Sequence, residues 1–62
     1  MSRTDELADR LEQIVADLDE LAFDRLREAV ADGATERPAV DKELAKARRA
    51  VEKAAHVLRA ID

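Results

Sequence analysis

The second half of the chain carries a repeat that leaves few folds open to it. Val40, Leu44, Ala47, Val51, Ala54, Leu58 and Ile61 follow one another in unbroken 4-3 steps. Two apolar positions in every seven, sustained over three heptads, are what a helix needs to bury one seam against other helices. Ala47 and Ala54 are small enough to let a neighbouring helix come close.

The first half repeats the pattern with Leu7, Leu11, Ile14, Leu18 and Leu21. The next heptad places hold Arg25 and Glu28, and the apolar stripe moves to Ala22, Leu26 and Val30, with Phe23 beside it. Such a shift is a stutter, which locally relaxes a left-handed supercoil. At about 100° per residue the apolar arc of this helix spans roughly 200°, more than one partner helix covers. Val15, Phe23 and Val30 are the surplus.

Punctuation is sparse and well placed. Ser2 or Thr4 can cap the first helix, and Asp5 and Glu6 then meet the positive end of its dipole. Gly33, the only glycine, suits a left-handed helix terminator, and Pro38, the only proline, suits the first turn of a second helix. The spacing predicts one domain over residues 1–62, with a helix over 4–32, a loop over 33–37 and a helix over 38–61. So short a loop joins antiparallel neighbours. The fold expected is all-α, an antiparallel hairpin of two long helices. It sets Leu26 near Leu44, Ala22 near Ala47, Leu18 near Val51, Val15 near Ala54, Leu11 near Leu58 and Leu7 near Ile61. It also brings Arg25 toward Glu43, which would explain a charge at a seam position.

Length then decides what such a hairpin needs. A chain of 62 residues buries only about 60% of the surface its unfolded form exposes, so it is marginal alone. The chain has no cysteine and one histidine, which removes disulfides and imidazole clusters as staples. Helix packing and self-association remain. A composition 47% hydrophobic and 42% charged could also mean disorder, but the regular apolar spacing favours helices. The expected assembly is a homodimeric four-helix bundle, or an equivalent pairing with another helical protein. Its interface draws on Leu11, Val15, Leu18, Ala22, Phe23, Leu26, Val30, Ala47, Val51, Ala54 and Leu58. Phe23, the only aromatic residue, is read as buried in the dimer.

Charge divides the halves. Residues 1–32 carry a net of −6 and residues 33–62 a net of +2. That favours cross-helix ion pairs within the hairpin, and a dimer in which the first helix of one copy borders the second of the other. Lys42, Lys46, Arg49 and Lys53 line the face opposite the second seam, a possible phosphate-binding stripe. The overall acidity and the lack of aromatics for base stacking rank it below a solvated helix face. The acidic stripe Glu6, Asp9, Asp17, Glu20, Asp24 and Asp32 suits a basic partner, but such stripes are more often simply solvated.

Catalytic chemistry is not expected. His56 falls on the face away from the seam, near Glu52, and paired carboxylates such as Asp17 and Glu20 face water. There is no glycine-rich phosphate loop, no Gly-x-Ser-x-Gly and no Cys–His arrangement. No cofactor or metal is expected. The longest apolar run is three residues, and Met1-Ser2-Arg3 leads straight into acids, so neither a membrane span nor a signal peptide is expected. The reading is cytoplasmic.

In size and layout the chain resembles the small plasmid-copy-number helical hairpins that pair into an antiparallel four-helix bundle. The resemblance covers architecture, and no binding residue transfers from it. The leading functional expectation is a non-catalytic interaction module, a small regulatory or scaffolding protein acting through helix packing. Behind it stand a nucleic-acid-associated factor using the basic stripe and an antitoxin-like or inhibitory partner using the acidic helix.

Overall fold

The computed structural model describes residues 2–33 and 39–61, and for residues 39 and 40 the backbone alone. Two helices make up the fold, α1 (Arg3–Ala31) and α2 (Ala39–Arg59). Of the two candidate caps, Ser2 is the one used. It is extended at φ −87 and ψ 164, and its hydroxyl accepts the Asp5 N–H at 3.1 Å. The Thr4 hydroxyl lies 2.9 Å from the Ser2 hydroxyl.

α1 ends as its glycine predicts. Gly33 has φ 78, and its N–H reaches the Val30 carbonyl at 3.0 Å. A Cβ built there would meet nothing within 4 Å, so the preference for glycine comes from backbone conformation alone. Residues 34–37 of the expected 33–37 loop and the expected role of Pro38 lie outside the described residues. α2 stops at Arg59 rather than at 61. Its last turn tightens as the Ala60 N–H turns to the Val57 carbonyl and the Ile61 N–H to the Leu58 carbonyl, at 3.1 and 3.2 Å.

The helices pack along their lengths as an antiparallel hairpin measuring 48 × 15 × 10 Å. The contact face differs from the expected one. On α1 the buried and half-buried residues include Thr4, Ala8, Leu11, Val15, Leu18, Ala22, Arg25 and Ala29, a heptad run with no stutter. On α2 they include Asp41, Leu44, Arg48, Val51, Ala55 and Leu58. Leu11, Leu18, Leu44, Val51 and Leu58 are common to both readings. Ala47 and Ala54, expected opposite Ala22 and Val15, are instead exposed, and so are Ile14 and Leu21. Val15, expected as surplus, sits in the contact. Each helix is turned so that the residues one step beyond the expected ones complete the seam, Val15 and Ala22 on α1 and Asp41, Arg48 and Ala55 on α2.

A charged pair explains part of that turn. Arg25 Nε donates to Asp41 Oδ1 at 3.0 Å, and Asp41 is only 4% exposed. Arg25 therefore pairs with Asp41, two residues short of the expected Glu43. Glu43 is exposed and lies 3.8 Å from Lys46. The long alkyl stem of an arginine packs in a seam while its head reaches a partner, so a seam position can hold it.

The hairpin is thin inside. Among the described residues only two apolar side chains are fully buried, Ala8 at 0% and Ala55 at 3%. The accessible surface is 4880 Å², against about 4,000 Å² for a compact monomer of this mass.

Candidate interaction surface

Folding about the Ala8–Ala29 and Asp41–Leu58 stripes leaves the hairpin two long flanks with opposite chemistry. The first is tied by ions. Arg59 Nη2 donates to Asp9 Oδ1 at 2.6 Å and to Glu12, and Arg59 lies 3.9 Å from Asp5. Arg48 bonds Asp19 across the hairpin and donates to Glu52 on its own helix at 2.8 Å. These bonds to Asp9 and Glu12 hold the Arg59 guanidinium well above its ordinary value, and the bond to Asp19 raises that of Arg48. Both side chains are expected to stay charged across any ordinary pH. His56 is exposed on this flank, at the rim of a shallow hollow lined by Glu12, Asp19, Glu52 and Arg59. Among the described residues no group of three or more His, Asp or Glu is placed to hold a metal ion.

The opposite flank carries apolar side chains. On α1, Leu7, Ile14 and Leu21 recur at every seventh residue one step before the contact stripe. On α2 the matching edge holds Ala47, Ala50, Ala54, Val57 and Ile61. In an antiparallel pair, these two edges lie side by side, because residues preceding the seam on one helix border residues preceding it on the other. Ile14 and Leu21, within α1, are 44 and 46% exposed, and Val57 in the last turn of α2 and Ile61 beyond it are 51 and 52% exposed.

A second apolar patch lies near the loop end of α1, on the ion-paired side. Phe23, Leu26 and Val30 are all exposed there. The Arg27 guanidinium lies 5.8 Å from the Phe23 ring centre, within cation–π range. A hollow beside Phe23 and Leu26 reaches Ala22, Asp19 and Asp41.

Of the expected interface residues, Leu11, Val15, Leu18, Ala22, Val51 and Leu58 are half-buried between α1 and α2, while Phe23, Leu26, Val30, Ala47 and Ala54 face water. Ile14, Leu21 and Val57 were absent from that expected set. Ile14 and Leu21 stand in the first α1 heptad read from the sequence, and Val57 continues the spacing Ala47, Ala50, Ala54, Val57, Ile61 on α2. Lys42, Lys46, Arg49 and Lys53 are all exposed on α2. In the acidic stripe, Asp9 is engaged by Arg59, Asp17 accepts from Gln13 at 3.2 Å, and Asp24 lies 3.8 Å from Arg27. No helix among the described residues is long and apolar enough to cross a membrane. Comparison with known protein families, with curated proteins and with solved structures found no match.

Proposed function

We propose that this chain is a non-catalytic protein–protein interaction module that acts through helix packing, and that it assembles as a homodimeric four-helix bundle. The observation that carries the reading is the flank of exposed large apolar residues, Ile14 and Leu21 along α1 and Val57 and Ile61 at the end of α2. A hairpin with two buried alanines for a core gains most of its stability by covering such a flank. The hairpin that bears it is 48 Å long.

Sedimentation equilibrium at micromolar concentration tests the reading. The expected mass is that of two chains, with an unfolding midpoint that rises with protein concentration. A monomer that unfolds cooperatively at a concentration-independent midpoint overturns it.

A further inference from the structure

The charged rim of the apolar flank specifies how two copies meet. Along α1, at one edge of that flank, Arg3, Leu7, Arg10, Ile14, Asp17, Leu21 and Asp24 follow in unbroken 4-3 steps. Taken from the other end, the stripe has the same apolar order with its charges inverted. An antiparallel second copy centred on Ile14 therefore sets Ile14 against Ile14 and Leu7 against Leu21. It also sets Arg10 against Asp17 and Arg3 against Asp24, each pair twice. Resting on the reading just given, we infer that the occupant of this flank is a second copy of the chain. It lies with α1 against α1, α2 against α2, and the two loops at opposite ends of the bundle.

Three observations support this arrangement. Arg3, Arg10, Asp17 and Asp24 are all exposed, and the contacts of Arg3 with Glu6 and of Asp24 with Arg27 are loose, at 3.8 Å. Asp17 accepts only an exposed bond from Gln13 at 3.2 Å, so all four can re-pair at small loss. On α2 the corresponding edge is Ala47, Ala50, Ala54 and Val57, which lets two copies of that helix approach closely. The competing arrangement sets α1 of one copy against α2 of the other, with both loops at one end. It would face Arg10 with the stretch from Lys53 to Ile61, which holds no acid. Of the three arginines of α2, Arg48 and Arg59 are already engaged on the other flank.

The chain has no cysteine, so single substitutions report position. Ile14→Cys is expected to cross-link to itself with a short bis-maleimide. Spin labels on an Ala31→Cys dimer are expected at about 50 Å, from 1.5 Å of rise per residue on each side of Ile14. Arg10→Asp is expected to weaken the dimer on the order of tenfold, and adding Asp17→Arg to restore it. A dimer whose Ala31 labels lie within about 25 Å overturns this arrangement and leaves the interaction reading standing. So does a dimer that the second charge change fails to rescue. A wild-type chain that stays monomeric overturns both.

Discussion

The two flanks of the hairpin are built from the same heptads and do opposite things. On one, Arg59 gathers Asp5, Asp9 and Glu12 while Arg48 joins Asp19, so α1 and α2 of one chain hold each other in register. On the other, Ile14, Leu21, Val57 and Ile61 leave their methyl groups toward solvent, with Leu7 half-buried beside them. Ion pairs at a surface contribute little energy but discriminate strongly between alignments. Apolar area contributes energy and discriminates poorly. The hairpin has placed its aligning interactions where they act within the chain. Its surplus apolar surface stands where another molecule can cover it.

Changes to the apolar flank are expected to have the largest effect. Leu21→Glu, like Ile14→Glu, places a charge where the second copy would pack. Either is expected to raise the dimer dissociation constant at least about a hundredfold, measured by sedimentation equilibrium. The same substitution at the exposed Lys46 is expected to leave assembly unchanged. The seam comes next. Arg25→Ala leaves Asp41 buried without its partner and is expected to cost about 2–3 kcal/mol in chemical unfolding. Replacing both by leucine is expected to recover most of that loss.

A smaller loss is expected at the turn. Gly33→Ala forces a Cβ into the left-handed region and is expected to cost about 1 kcal/mol, with the dimer's shape unchanged. The ion-paired flank is expected to respond least. Arg59→Gln is expected to lower the unfolding midpoint by a few degrees at low salt and by less at high salt. The pH dependence follows from the raised guanidinium values of Arg48 and Arg59. A raised cation contributes fully below its unfolded value and is lost only as pH climbs past the folded one. Stability from these two arginines is therefore expected to be flat between about pH 7 and 9, read as a constant difference between Arg59→Gln and the parent chain.

The hairpin itself was legible because its signals are local. The Ser2 cap, the helix end at Gly33 and the two apolar heptads each follow from a few neighbouring residues. Which face of each helix turns inward was not legible, and the reason is specific. Leu44, Val51 and Leu58 belong to two overlapping stripes, one completed by Ala47, Ala54 and Ile61, the other by Asp41, Arg48 and Ala55. Counting apolar residues favours the first. The structure takes the second, because Asp41 and Arg48 find Arg25 and Asp19 across the hairpin, pairings that spacing alone does not reveal. The same ambiguity on α1 turned Val15 and Ala22 inward and left Ile14 and Leu21 outside. The candidate surface thus emerged from the stripe that the fold left over.

Ala8 and Ala55, the two sealed apolar side chains of this hairpin, carry a consequence for how long a solitary copy survives. Parting the rods uncovers these two methyl groups and the already half-wet Leu11, Leu18, Val51 and Leu58. Opening a solitary copy is therefore expected to be easier than opening a paired one, with faster amide exchange. A protease that cuts unfolded chains meets such a copy often, whereas a paired copy is shielded. The quantity of protein made would then govern its lifespan as well as its action.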